Sequence, residues 1–216
     1  MSQPSTKFIP ALGFNLLTPL YDLIMQLTMR ELTFKRRLIE EMKIEKSRRV
    51  LDLGCGTATL TILIKRTYPE AEIIGLDIDP KILDIARSKV QKAGVDIKLD
   101  QGSALELPYP NNSFDRVVSS LVIHHLTHEN KARTFREVFR VLKPGGELHA
   151  ADFGKPQNVL MYLIARFFGL FEDTSDNIKG LLPKMFREAG FEEVEETARY
   201  ATMFGTLSLY KARKPG

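Results

Sequence analysis

The feature that most constrains this chain is an apolar strand that runs directly into a glycine turn, at residues 49–60, RVLDLGCGTATL. Apolar residues such as Val50 and Leu53 suit a strand that is buried on both faces. Gly54 and Gly56 follow where that strand ends, and glycine both tolerates unusual backbone angles and lets a ligand approach the main chain. A strand, a glycine turn and a helix in this order predict the first unit of a doubly wound α/β sheet.

A second apolar strand, near residues 72–77, follows about one helix later and ends in Asp77. A carboxylate at this interval after a glycine turn accepts hydrogen bonds from the hydroxyl groups of a nucleotide ribose. Asp79 and Pro80 come next, and they are typical of the N-cap and first residue of a helix. The two strands together therefore predict a nucleotide site, with Asp77 at the ribose.

Two details indicate which kind of nucleotide binds. A dinucleotide site would carry a third glycine after the turn, and Thr59 stands at that position. Asp52 places a carboxylate two residues before Gly54, where it would repel a pyrophosphate and attract an ammonium or sulfonium group. A G-x-G turn alone is also common as a plain tight turn. Asp52 and Asp77 together are what favour a ligand site.

At these residues the chain resembles class I S-adenosylmethionine-dependent methyltransferases, in the group that includes the ubiquinone and menaquinone C-methyltransferases. Residues 101–120 are similar to the adenine loop and fourth strand of that family, and residues 141–148 to its L-K-P-G-G turn into the fifth strand. The resemblance implies S-adenosyl-L-methionine as cofactor and S-adenosyl-L-homocysteine as product. It implies cofactor contacts from Asp52, Gly54, Gly56, Asp77, Ile78, Gly102, Ser103, Ala104, Ser119 and Tyr21.

The chain departs from the family at Ser103, where the adenine loop usually carries aspartate. A hydroxyl can accept the same hydrogen bond from the exocyclic amine of adenine. Without a charge, that bond should be weaker by about 1 kcal/mol. We therefore expect weaker cofactor binding than in an aspartate-bearing relative.

The remaining pattern predicts alternating elements, which imply parallel strands with right-handed crossovers. The resemblance implies a Rossmann-like, mostly parallel seven-stranded sheet whose last strand is antiparallel. A further helix is predicted over 177–189, and a frayed end over 211–216. The predicted strands are 49–53, 72–77, 95–100, 114–120, 146–152, 191–199 and 203–211, and the predicted helices between them are 58–67, 80–93 and 129–141.

A length of 216 residues suits one domain overall. Within it, residues 1–45 are predicted to form an N-terminal arm and helices that act as a lid, because they precede the first strand and belong to no βα unit. Residues 46–216 are predicted to form the methyltransferase domain. Tyr21 lies in the lid segment, where the resemblance places a tyrosine over the methionine end of the cofactor; anchoring of the helix to the core is the alternative.

Composition restricts the partners. The formal net charge is +4 and the basic residues are spread along the chain, whereas nucleic-acid-binding proteins display a dense basic face. We therefore expect a small-molecule acceptor and no nucleic acid. The only cysteine, Cys55, and the absence of a secretory signal predict a cytoplasmic location. Residues 159–171 are apolar but too short to span a bilayer, so they predict core packing, an apolar substrate wall, or a peripheral membrane or partner contact.

Direct in-line methyl transfer requires a general base only when the acceptor must lose a proton. His124 and His125, which follow the fourth strand, are the predicted base candidates, and His128 is close by. A purely structural role for these histidines is the alternative. No cysteine or carboxylate set completes a metal shell around them, so no metal site is predicted.

The sequence predicts methylation of a small, fairly apolar acceptor. Two alternatives remain. One is a nicotinamide-dependent oxidoreductase, which Asp52 and Thr59 disfavour. The other is a non-catalytic methyltransferase-like protein that binds the cofactor without turnover, since intact Gly54, Gly56 and Asp77 predict binding and not transfer.

Overall fold

A single sheet organises the part of the chain that the computed structural model describes, which is residues 31–45, 48–168 and 175–216. Tyr21 and most of the predicted arm and lid lie outside the described residues. The strands are β1 (Arg49–Leu53), β2 (Glu72–Asp77), β3 (Lys98–Gln101), β4 (Phe114–Ser120), β5 (Leu142–Phe153), β6 (Glu192–Thr202) and β7 (Gly205–Arg213).

The strand order is β3-β2-β1-β4-β5-β7-β6 in a seven-stranded sheet. β1 to β5 pair in parallel, whereas β7 is antiparallel to both β5 and β6. The predicted fold, with its antiparallel last strand, is confirmed. The order reverses between β1 and β4, and in sheets of this kind ligands bind outside the carboxyl ends of the strands at that reversal.

Helices flank the sheet. They are α1 (Glu31–Met42), α2 (Thr59–Thr67), α3 (Pro80–Ala93), α4 (His128–Val141), α5 (Val159–Phe168), α6 (Ser175–Ile178) and α7 (Leu182–Glu188). The start of α3 follows its sequence signal, because Asp79 accepts a hydrogen bond from the amide of Lys81 at 2.8 Å and Pro80 occupies the first turn. Gly94 ends α3 in the left-handed conformation.

The core lies on both faces of the sheet, so most residues of the central strands are buried. One cluster joins β1, β2 and β4 to α4 and α7 through residues such as Phe135 and Phe186. A second cluster packs α1 and α2 against β1, β5 and β7 through residues such as Phe34 and Leu207. Burial on two faces explains the near-continuous apolar composition of the parallel strands.

Two predictions near the chain end are wrong. The single helix expected over 177–189 is split into α6 and α7 at Gly180. Gly180 has a φ of +71°, which is incompatible with the interior of a right-handed helix. The end expected to be frayed instead continues β7 to Arg213. Lys214 then donates hydrogen bonds to the carbonyls of Phe139 and Leu142, at 2.8 and 2.7 Å. Strand pairing to Arg213 and the hydrogen bonds of Lys214 therefore keep the end of the chain ordered.

Helix α5 does not pack as a core helix. Its Met161 is buried, and Ala165 lies against Gly205 at the start of β7. Five other large apolar side chains are exposed, with Val159 75%, Leu160 62%, Tyr162 46%, Leu163 58% and Phe167 61% exposed. Core packing, one of the predictions made for this segment from the sequence, is therefore wrong for most of these side chains. No helix among the described residues is long and apolar enough to cross a membrane.

Candidate active site

The glycine turn after β1 is fixed by backbone hydrogen bonds to the neighbouring strand. The amides of Gly54 and Cys55 donate to the carbonyl of Leu76 at 2.8 and 3.0 Å. Gly54 has φ +70°, and a Cβ on it would lie 2.4 Å from a methyl group of Val122. Gly56 has φ +53°, yet a Cβ there would meet nothing within 4 Å. The first glycine is thus required by packing, and the second leaves open space beside the main chain.

Asp77 links this turn to the end of β2. Its Oδ2 accepts a hydrogen bond from the amide of Gly56 at 2.9 Å, and its Oδ1 accepts one from the amide of Asp79 at 3.0 Å. Burial raises the pKa of the Asp77 carboxyl, although the two amide bonds oppose that rise. Each carboxylate oxygen can accept a further hydrogen bond, which suits a ribose diol. Ile78 is 45% exposed beside it and offers an apolar surface at the same edge.

The predicted adenine loop lies next to Asp77. The amide of Gly102 donates to the carbonyl of Asp77 at 3.0 Å, and a Cβ on Gly102 would lie 2.8 Å from Leu76. Ser103 Oγ accepts a hydrogen bond from the amide of Leu105 at 3.2 Å and so shapes the loop locally. Ala104 packs against the main core. The structure brings these residues to the same edge as Asp77.

Asp52 lies beneath the turn and not in the crevice. The residue is 1% exposed, and Thr61 of α2 donates a hydrogen bond to its Oδ2 at 2.6 Å. Burial raises the pKa of the Asp52 carboxyl to about 6. Asp52 would therefore act on a bound cation through its charge at short range, and its direct contact with a cofactor stays a prediction.

Ser119 is also turned inward. Its hydroxyl is buried and donates to the carbonyl of Leu53 at 3.1 Å, which ties β4 to β1 at the strand reversal. In this arrangement Ser119 shapes the floor of the site through the backbone of β1. Tyr21, the remaining predicted cofactor contact, lies outside the described residues.

The segment after β4 forms a short 3-10 turn at Ile123–His125. His124 is 4% exposed, and its Nδ1 lies 2.9 Å from Oδ1 of Asp152, at the end of β5. Asp152 is 0% exposed. Burial opposes its ionisation, but the pairing with His124 and bonds from backbone amides hold the pKa of Asp152 below its usual range. Pairing with a buried carboxylate orients the imidazole ring and fixes its tautomer, as in histidines that act as general bases.

His125 is in a different environment. It is exposed, and its ring lies against that of His124 with centroids 4.0 Å apart. Desolvation of the ring, reinforced by His124, lowers the pKa of His125 to about 4. Of the two predicted base candidates, His124 is the one whose ring is oriented by the buried carboxylate of Asp152, so the geometry favours His124.

Sequence reasoning missed Asp152 and Asn177. Asn177 of α6 is fully buried, and its Nδ2 lies 3.1 Å from Oδ1 of Asp152. Asp152 could have been found, because it follows an apolar strand whose carboxyl end must meet that of β4 in a parallel sheet. Asn177 carries no such signal. Among the residues that the structure describes, no group of three or more histidine, cysteine or acidic side chains could hold a metal ion.

The glycine turn, the Asp77 carboxylate and the exposed Ile78 meet at the strand reversal of an α/β sheet, an arrangement that suits an adenosine-containing ligand. The family described as "Methyltransferase domain" matches residues 50–146. A demethylmenaquinone methyltransferase of Thermus thermophilus is 30% identical over 227 residues, which cover 94% of this chain and 100% of that protein. One of Listeria monocytogenes is 31% identical over 220 residues, with 90% of each chain covered.

A solved structure, a SAM-dependent methyltransferase of Aquifex aeolicus, is similar in fold. Its TM-score is 0.62 at 17% identity, and the match covers 82% of this chain and 88% of that one. The chain belongs to the class I S-adenosylmethionine-dependent methyltransferases, in the group that includes the demethylmenaquinone methyltransferases. It is therefore an enzyme of the methyltransferase class, with S-adenosyl-L-methionine as its cofactor. The open space beside Gly56, the Asp77 carboxylate and the apolar Ile78 suit the three parts of that cofactor.

Proposed function

We propose that this methyltransferase transfers the methyl group to a ring carbon of a reduced naphthoquinone, the quinol form of a demethylmenaquinone. The observation that carries the proposal is the buried His124–Asp152 pair at the carboxyl ends of β4 and β5, because a quinol must lose a phenolic proton as its ring carbon attacks. The relatives from Thermus and Listeria, which match along nearly their full length, support the same acceptor.

The chemistry divides between the cofactor and the chain. Bound S-adenosyl-L-methionine supplies an electrophilic methyl group on a sulfonium, which leaves as a neutral thioether. His124 accepts the phenolic proton at Nε2 while Asp152 holds Nδ1. Transfer would join the methyl carbon to the ring carbon as the sulfur–carbon bond breaks. The hydrogen displaced from that carbon would leave to solvent as a proton, and the ring oxygen would regain a proton from His124, so that one proton is released overall. The buried charge of Asp52 stabilises the positive sulfonium before transfer.

The second part of the proposal concerns α5. Its exposed apolar side chains, Leu160 and Leu163 among them, form a face that suits the lipid surface in which a prenylated quinol is dissolved. Exposed Arg166 on the same helix and Lys155 just before it supply positive charge for anionic headgroups. We propose peripheral contact of this face with an anionic bilayer.

The acceptor is tested with methyl-labelled cofactor and a short-chain demethylnaphthoquinone in detergent. We expect label in the naphthoquinone after chemical reduction and none with the oxidised form, whose ring carbon is not nucleophilic. Simple phenols, amines and thiols are the comparison panel. Transfer to an amine or thiol in preference to the quinol would overturn the proposal. If the protein binds S-adenosyl-L-homocysteine but transfers methyl to no acceptor, the non-catalytic alternative is favoured.

Membrane contact is tested by co-sedimentation with phosphatidylglycerol vesicles. We expect the Leu160→Glu/Leu163→Glu double variant to lose most binding. Leu32→Glu, at an exposed leucine of α1, is the matched control and should bind like the unaltered chain. Equal vesicle binding by all three proteins would remove α5 from the proposal.

A further inference from the structure

Asp152 is the most heavily hydrogen-bonded carboxylate in the candidate site. Its Oδ2 accepts from the amides of Val122 and Ile123 at 3.1 and 2.8 Å. Its Oδ1 faces Nδ1 of His124 at 2.9 Å and accepts from its neighbour's amide, that of Phe153, at 2.8 Å. The amides of the turn after β4 bond only to Oδ2 of Asp152. Holding that turn therefore does not explain why Oδ1 also has several hydrogen-bond partners.

Asn177 provides the remaining bond to Oδ1. Its Nδ2 donates to Asp152 at 3.1 Å and to the carbonyl of Phe153 at 2.9 Å. Both partners are acceptors, so chemistry requires the amide nitrogen on this side. The opposite atom, Oδ1 of Asn177, is buried without a hydrogen-bond donor among the described residues. The bonds that Nδ2 donates therefore set the orientation of the Asn177 side chain, and one of them goes to the Asp152 carboxylate.

We infer that Asp152 and Asn177 are positioning residues for His124, an inference that rests on the proposed role of His124 as base. Asp152 fixes the tautomer with the proton on Nδ1, so that Nε2 receives the proton of the acceptor. Asn177 adds a neutral donor to Oδ1, which keeps the carboxylate ionised and prevents it from rotating away from the imidazole. The three side chains come from three different elements, β5, α6 and the turn after β4.

The adjacent residue on α6 offers a matched control. Asp176 lies 3.1 Å from Nδ1 of His128 and 3.5 Å from Nζ of Lys131, at the start of α4. It therefore holds the same short helix in place without contacting Asp152 through any of these bonds. A change that acts through the docking of α6 should appear in Asp176→Asn as well as in Asn177→Ala, whereas a positioning effect should appear in Asn177→Ala alone.

The first experiment reads the tautomer directly and needs no acceptor. The full chain with ¹⁵N-labelled histidine is titrated by NMR, with S-adenosyl-L-homocysteine bound, and the His124 signals among the chain's 4 histidines are assigned with His124→Gln. We expect the Nδ1-protonated form in the unaltered chain and in Asp176→Asn. In Asp152→Asn we expect a shift toward the Nε2-protonated form, and in Asn177→Ala a displaced titration midpoint.

The second experiment measures methyl transfer against pH with the reduced naphthoquinone. We expect kcat to fall about 10²- to 10³-fold in Asp152→Asn, within the range of general-base effects, and about tenfold in Asn177→Ala, with acceptor KM and product affinity unchanged. Asp176→Asn should retain the kcat and pH profile of the unaltered chain.

The outcomes separate the two proposals. If the His124 tautomer and titration are the same in all variants, the positioning inference is wrong, whatever the acceptor. If Asp176→Asn changes the His124 titration as much as Asn177→Ala does, Asn177 has only a structural role and the inference also fails. If the tautomer shifts as expected but no quinol is methylated, the positioning stands and the proposed acceptor is wrong. Should Asp152→Asn fail to fold, Asn177→Ala and its control decide the matter.

Discussion

The two halves of the site are built in different ways. The cofactor half, at the ends of β1, β2 and β3, consists mainly of backbone: the turn amides bond to Leu76 and Asp77, and Gly56 leaves room for a ligand. The acceptor half, at the ends of β4 and β5, consists of side-chain pairs from distant elements, such as His124 with Asp152. The first half follows from local sequence, whereas the second exists only after the strands have assembled.

The largest test of this contrast is His124→Gln. Loss of the base should lower kcat for the quinol about 10²- to 10⁴-fold, because His124 is the proposed base and is positioned by the buried carboxylate of Asp152. Calorimetric affinity for S-adenosyl-L-homocysteine should not change, since the cofactor half is separate. His125→Ala is the control and should retain most activity. A parallel loss of product affinity in His124→Gln would show that the two halves are not independent.

A stability effect of about 2–5 kcal/mol is expected for Gly54→Ala, from the left-handed backbone and the overlap with Val122. Gly56→Ala has the same backbone strain but no overlap, so its effect should be about 1–2 kcal/mol. Urea unfolding measures both. Adding Val122→Ala should recover part of the loss in Gly54→Ala and none in Gly56→Ala. Equal free energies of unfolding for the two glycine variants would contradict the packing account.

Asp52→Asn should stabilise the protein above pH 7. The folded-state pKa of about 6 exceeds the ordinary 3.8, so the folded state binds the proton more tightly and stability falls as pH rises from 3.8 through 6. The amide removes that penalty, which is at most about 3 kcal/mol at neutral pH. Unfolding at pH 4.5, 6 and 8 should show the advantage of the variant growing with pH.

The same variant also tests the role of the Asp52 charge in cofactor binding. If the Asp52 charge acts on the sulfonium, affinity for the cofactor should fall more than affinity for S-adenosyl-L-homocysteine, because both ligands carry an ammonium group and only the cofactor carries the sulfonium. An equal loss for both ligands, measured by calorimetry, would mean that Asp52 does not act on the sulfonium and acts through the shared ammonium group or the shape of the turn.

The smallest expected effect is in the adenine loop. Ser103→Asp should tighten product binding by about 1 kcal/mol, because a charged acceptor makes a stronger bond to the adenine amine. Aspartate can also keep the local bond from the amide of Leu105 that Ser103 now accepts. Ser103→Ala should change affinity in the opposite direction. No gain in Ser103→Asp would place this position outside the adenine contacts.

The cofactor half was predictable because its signals are short. The strand, the two glycines and Asp77 lie within one βα unit and the strand after it, so the order of residues determines their arrangement. Asp52 was predicted as a cation-attracting group beside the turn, but its burial against Thr61 depends on how α2 packs, which no local pattern contains. The helix expected over 177–189 failed for a related reason, because Gly180 interrupts a pattern that is otherwise helical.

The acceptor half was predictable only in part. His124 and His125 were both candidates from sequence, and the distinction between them came from which ring meets Asp152. Asn177 lies 25 residues beyond Asp152, in a four-residue helix whose position is set by tertiary contacts. The exposure of α5 was equally unpredictable, since a helix with apolar residues on nearly every side is typical of a core and of an interface alike.

The place of β7 in the sheet has a consequence for how the protein is made. β7 follows every other described strand in the sequence, yet it lies between β5 and β6. While the ribosome is still translating residues 205–213, the edge of β5 has no antiparallel neighbour and can pair with another nascent chain. Insertion of β7 therefore covers an edge that is otherwise open to aggregation. A chain truncated before residue 205 would keep that edge of β5 exposed.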